Sequence, residues 1–263
     1  IGLFGFEAGL VLNDYVDREY DRRDVDGSLT RYWRPFGERP IPAGKISPRA
    51  AFAVFLALAV PAAVLAATLV IGGLLGLVLG LGLYTTRKGG LLQNRWIFAI
   101  LNLVVNIFRP IPFLILLFAV APLTVGIVGT RLGSTAMIVP MSVAATFGVS
   151  RIVEQNLVAI DPGVIEAARA TGATRWRIIT TLLVPEALGP LILGYTFVCI
   201  AVVDMSALAG TLDGGGLGAF ALDYGYKRWN FGVVWVTVIV IIILVQLAQA
   251  FGNRLSRKVM HHN

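Results

Sequence analysis

Cysteine and histidine are almost missing from this chain. Its 263 residues include one Cys, Cys199, and two His, the adjacent pair His261 and His262 at the C-terminus. A single thiol cannot form an internal disulfide. Two neighbouring imidazoles leave little material for a histidine-based zinc centre or a Ser-His-Asp hydrolase. Charge is also scarce. Asp, Glu, Lys and Arg make up 14% of the chain, against about 25% in ordinary soluble domains. Hydrophobic residues reach 57% and the mean hydropathy is +0.79. These values exclude a soluble enzyme, a disordered tail and a fibrous repeat, and they point to a polytopic membrane protein. Glycine is plentiful at 29 residues, as suits helices packed closely in lipid. The net charge is +7. Its basic residues sit in short loops between apolar runs, which fits the positive-inside rule better than nucleic-acid binding.

The hydropathy pattern predicts an all-α transmembrane bundle. Residues 1–12 are apolar but shorter than the ~20 residues a crossing needs, so they read as part of a helix. Residues 13–49 mix both charge signs with Pro and Gly and belong in water or at the interface. Residues 50–86 are apolar almost throughout and end at Tyr84, Thr85 and Thr86. They predict one crossing with a protruding end, or two short crossings turning at Gly72-Gly73. Further spans are expected at 97–120, interrupted by Arg109, Pro110 and Pro112, and at 134–150, 187–211 and 231–252. The basic loop 87–96, the amphipathic segment 151–186 and the tail after 252 are separated by two crossings each. All three should therefore lie on one side, the cytoplasmic one.

Residues 161–190 read DPGVIEAARATGATRWRIITTLLVPEALGP. Asp161 is a good N-cap and Pro162 suits the first helical position. Glu166 falls early in the predicted helix, and Ala167 and Ala168 give it a small face that another surface can approach. Gly172 is placed to end the helix. A second short helix starts near Thr174 with Arg175 and Arg177 exposed, and Pro185 opens the next span. Two short helices along the membrane face suit docking into a groove on a soluble partner.

The run EAARATGA with its spacing to LVPEAL resembles the EAA loop of ABC importer permeases. The segments NIFRPIPFLILL, GTRLGSTAMIVP, SALAG, GGGLGAFALDYGYKRW and VQLAQAFGNRLSRK resemble the methionine-type importer permeases in particular. The resemblance implies a homodimer of five-span subunits over residues 57–263. It also implies two ABC ATPase subunits that carry the ATP and Mg²⁺, an extracytoplasmic methionine-binding lipoprotein, and residence in a bacterial or archaeal cytoplasmic membrane. Such a chain binds no cofactor of its own. The family's coupling role would fall on Glu166, Ala167, Ala168, Gly172, Arg175 and Pro185. The solute path would be lined by Asp204, Ser206, Ala207, Leu208 and Gly210. An acid within an apolar span is costly and usually functional, and Asp204 either faces the path or interface or lies hydrated near the end of its span. Arg109 is expected to buttress the bundle. The glycine cluster 214–216 follows no strand and precedes no Lys-Ser/Thr pair, so it marks a bend rather than a P-loop.

Residues 1–56 carry a different signal. Asn13, Asp14, Asp17 and Asp21 would share one helix face, and clustered carboxylates suit Mg²⁺ with a phosphate. NDYVDREYD followed by RPIPAGKISP resembles the first Asp-rich motif of UbiA-type prenyltransferases, with Arg39 and Lys45 as neighbouring cations. No second DxxxD follows, so transport by the permease portion is the leading expectation. A prenyltransferase fragment, or an inert composite of the two, is the alternative.

Overall fold

The computed structural model describes residues 48–210 and 214–260. The four head residues Asn13, Asp14, Asp17 and Asp21 lie outside them. Among the described residues every regular element is helical. Packing divides the chain into two units, Ile1–Ala66 and Ala67–Asn263.

Helix α1 runs unbroken from Pro48 to Thr86, so the chain does not turn at Gly72-Gly73. The reason lies in its packing. Gly72, Gly76 and Gly80 recur once per turn and press against α5, Ile138–Val158. A Cβ at Gly72 would stand 2.6 Å from the Ala145 Cβ, and one at Gly76 would stand 2.5 Å from the Val149 Cβ. One at Gly80 would meet the Ser150 carbonyl oxygen at 2.6 Å. These glycines let two helix backbones touch, as small residues do in membranes. The register also fixes direction: α1 and α5 run parallel.

Helix α2, Arg95–Phe108, starts at Asn94, whose Oδ1 accepts from the Trp96 and Ile97 amides at 3.0 and 3.1 Å. Arg109-Pro110-Ile111-Pro112 then breaks it, because proline supplies no N–H and its ring crowds the preceding turn. Helix α3, Phe113–Ala119, leaves at 111° to α2. The span expected over 97–120 is thus a broken one. The connection after it is partly helical, with α4 at Ala121–Val128 closed by Gly129 at φ 80°.

Helix α6 is Pro162–Ala170 and α7 is Arg175–Ile178. A π turn over Ile179–Leu183 leads into α8, Val184–Ala209. The short α9, Gly216–Phe220, precedes α10, Phe231–Met260. Three stretches are long and apolar enough to cross a membrane: Ala62–Thr86, Arg175–Ala209 and Phe231–Met260, with the bent α2–α3 pair as a fourth. The expected third span, α5, has 21 residues, which at 1.5 Å per residue is about 31 Å. Its last two turns carry Arg151, Glu154, Gln155 and Asn156, so length qualifies it while composition does not. It is nonetheless the centre of the bundle, with Met141, Val149, Val153 and Leu157 buried.

Helix α8 packs on both α5 and α10. Gly194 leaves room for Ile152, and Gly252 leaves room for Thr196. The Ser256 hydroxyl donates to the Gly189 carbonyl at 2.9 Å, and the Tyr195 hydroxyl donates to the Gly73 carbonyl at 2.7 Å. The start of α8 thus lies beside the end of α10, and α1 ends level with α5. The loop 87–94, the α6–α7 segment and the end of α10 share one face of the bundle. The three basic segments gather as the charge bias predicts. The glycine-rich segment lies at the other end, with Gly214 beside Met137 just ahead of α5.

Candidate coupling loop and solute path

The loop between α5 and α8 is built from local rules. The Asp161 carboxylate accepts from the Gly163 amide at 2.8 Å, and Pro162 takes the first helical position. At the other end the Gly172 amide donates to the Arg169 carbonyl at 3.0 Å and the Ala173 amide to the Ala168 carbonyl at 3.2 Å. This is a Schellman cap, with Gly172 at φ 78° supplying the left-handed residue it needs. Thr174 then caps α7 by accepting from the Arg177 amide at 3.4 Å. The hydroxyls of Thr180 and Thr181 donate back to the Trp176 and Arg177 carbonyls at 3.0 and 2.7 Å. The π turn widens the helix just ahead of Pro185, relieving the clash its ring would make with the carbonyl one turn back.

The expected residues are therefore presented together on the basic face. Glu166, Ala167, Gly172, Arg175 and Pro185 are exposed and Ala168 is half-buried. Trp176 stands out beside them at 69% exposure, with Val164 at 42%. Two apolar side chains among Arg169, Arg175 and Arg177 make a surface suited to a protein groove. Trp176 was not singled out from the sequence, although its place between two arginines on a short capped helix is the signal that finds it.

At the opposite end the residues expected to line the path divide into two groups. Ala207 and Gly210 are consumed in close packing by the chain itself. The glycine-rich segment folds back so that Gly218 lies against the Ala207 carbonyl. A Cβ at Gly210 would stand 2.6 Å from the Gly215 carbonyl oxygen and 2.8 Å from the Ala219 amide. Gly215 and Gly216, at φ 72° and 81°, make the reversal, which fits the expected bend. Ser206 is half-buried, while Asp204 and Leu208 are exposed one turn apart on α8. At the centre of a lipid-facing helix an Asp would cost about 2.5–3.5 kcal/mol, so lipid is a poor environment for this face.

A third constellation was not anticipated. Arg151 belongs to α5 rather than to a loop. Its guanidinium pairs with Glu154 and donates to Asn102 at 2.6 Å and Asn106 at 2.5 Å on α2. Side-chain exposures of 14% and 13% for Arg151 and Glu154 put this network largely inside the bundle. Phe108 stacks on Phe147 beside it, with ring centroids 4.8 Å apart. The arginine that buttresses α2 against α5 is therefore Arg151. Arg109 is exposed at the C-cap of α2.

Comparison with known proteins bears on the whole arrangement. Residues 72–261 match the family described as "Binding-protein-dependent transport system inner membrane component". The chain belongs to this family. It is a permease of an ABC-type transport system. A relative in Vibrio cholerae, the Probable D-methionine transport system permease protein MetI, is 44% identical over 191 residues, which is 73% of this chain and 85% of the relative. The Methionine import system permease protein MetP of Bacillus subtilis is 39% identical over 174 residues, 66% of this chain and 78% of the relative. A solved inward-facing structure of the MetNI methionine ABC transporter superposes with a TM-score of 0.76 at 38% identity, covering 81% of this chain and 99% of that one. The family match, residues 72–261, includes the capped loop and the end of α8 and begins beyond the acid-rich head. Among the described residues no cluster of three or more His, Cys, Asp or Glu is placed to hold a metal ion.

Proposed function

We infer that this permease imports methionine as one half of a homodimer, in a bacterial or archaeal cytoplasmic membrane. The α6–α7 loop docks into ABC ATPase subunits, which carry the ATP and Mg²⁺. An extracytoplasmic methionine-binding lipoprotein delivers the solute to the opposite face. The observation that carries this reading is the loop itself: two short helices, capped at three of their ends by side chain or glycine, presented on the basic face with Glu166 and Trp176 exposed. Closing of the ATPase dimer moves the docked loop, and α8, joined to it through the π turn, moves as a rigid body. Glu166 positions the loop through charge-assisted hydrogen bonds to the ATPase, and Gly172 permits its reversal. The methionine assignment draws on the names of the relatives in Vibrio cholerae and Bacillus subtilis.

The test is uptake of radiolabelled methionine by proteoliposomes holding the chain, a methionine-type ATPase and its binding lipoprotein. ATP-dependent accumulation is expected, and a chain starting at Ala57 is expected to match it. Accumulation of another amino acid in place of methionine would contradict the assignment of the solute.

A further inference from the structure

The packing of α8 fixes the depth of Asp204. Thr196 lies against Gly252. The two helices are antiparallel, so eight residues further along α8 and eight back along α10 bring Asp204 level with Leu244. That is within the run VTVIVIIILV, residues 236–245, the most apolar part of the last span. Asp204 is therefore level with an apolar stretch of α10, although it stands only five residues before the end of α8 at Ala209.

The faces of α8 are largely assigned. Gly194 meets α5, Tyr195 meets α1 and Thr196 meets α10, while Val198 and Val202 are buried. What remains is a stripe of Leu193, Phe197, Asp204 and Leu208, spaced four, seven and four residues apart on one side of the helix. Phe197 is 67% exposed and Leu208 44%. Asp204 is exposed with them, and among the described residues no ion pair or hydrogen bond holds its carboxylate. Helix α8 itself contains no Lys or Arg. A carboxylate at this depth is costly against lipid, and against protein it calls for a cation. A water-filled path through which a cationic group passes meets both demands.

We propose that Asp204 selects solutes bearing an ammonium group, with the apolar part of the solute lying against Phe197 and Leu208. The inference deepens the importer reading and rests on it. A stripe with one acid and two large apolar side chains complements an amino acid with an apolar tail. It disfavours the corresponding 2-hydroxy acid, whose only charge is a carboxylate and which would meet like charge.

The experiment uses the full chain in complex with its ATPase subunits, carrying Leu208→Cys in a Cys199→Ser background, with Asp204 intact. The rate of thiol labelling by a neutral water-soluble maleimide is followed with and without solute. Labelling from water is expected, and saturating methionine should suppress it, because an occupied stripe covers the thiol. The 2-hydroxy acid analogue should leave the rate unchanged, and adding Asp204→Asn should abolish shielding by methionine while ATPase subunits still co-purify. Three results would overturn the proposal: no labelling from water, as when lipid or a second copy seals the stripe; equal shielding by the two solutes; or shielding that survives Asp204→Asn. Failure of the parent chain to recover ATPase subunits overturns the importer reading instead, and it is visible in the same preparation before any labelling.

Discussion

At the scale of single residues, Gly172 and Glu166 separate shape from contact. Gly172 sits at φ 78°, where a residue with a Cβ pays about 1–2 kcal/mol. Gly172→Ala should weaken recovery of the ATPase subunit by roughly tenfold, and Gly172→Asn, which tolerates the left-handed region, should lose less. Quantitative pull-down at graded ATPase concentration reads both. Glu166→Lys removes the contact and leaves the cap intact. It should abolish ATPase association without lowering the thermal midpoint of the purified permease, and unchanged association would remove Glu166 from the coupling role. The caps Asp161, Pro162 and Gly172 were legible in the sequence because each acts on its nearest neighbours. The network around Arg151 was not. Its partners Asn102 and Asn106 are 49 and 45 positions away, and a lone arginine after an apolar run carries the same local signal as the first residue of a loop.

At the scale of helices, close contact decides what glycine means. A Gly-Gly pair in a long apolar run reads as a turn when only chain flexibility is weighed. In α1 the residues at 72, 76 and 80 are spent on contact with α5 instead, and helix geometry survives because neighbouring helices supply the packing. Gly76→Leu should therefore force the pair apart against Val149 and Thr146. Overpacking of this kind costs about 1–3 kcal/mol and should appear as a lower thermal midpoint in detergent. Arg151→Ala acts on the second link between helices, α2 to α5. Leaving Glu154 and two asparagine side chains without their shared donor should cost a further ~1–3 kcal/mol. The variant should also lose stability more steeply than Arg109→Ala, since Arg109 is exposed. The break after α2 was readable from Arg-Pro-Ile-Pro, although its angle follows from tertiary packing and has no local code.

At the scale of the molecule, the arrangement is a bundle with chemically distinct ends. Loop 87–94, the α6–α7 segment and the end of α10 form the basic face, while the glycine reversal after α8 forms the other. Charge bias alone predicted this grouping, because the sidedness of short basic loops is a property of the membrane and not of the fold. In a Cys199→Ser background, a cysteine replacing Gly89 should label from the cytoplasmic side only, and one replacing Trp229 from the opposite side only. Labelling of both from one side would break the topology. The most direct test of coupling is co-purification of the full chain with a methionine-type ATPase subunit in detergent, with ATP turnover measured on the recovered complex. Stable recovery and turnover that depend on Glu166 and on the Gly172 cap are predicted. Recovery that is unaffected when the 161–186 loop is replaced by a flexible Gly-Ser linker would show that force enters this permease elsewhere.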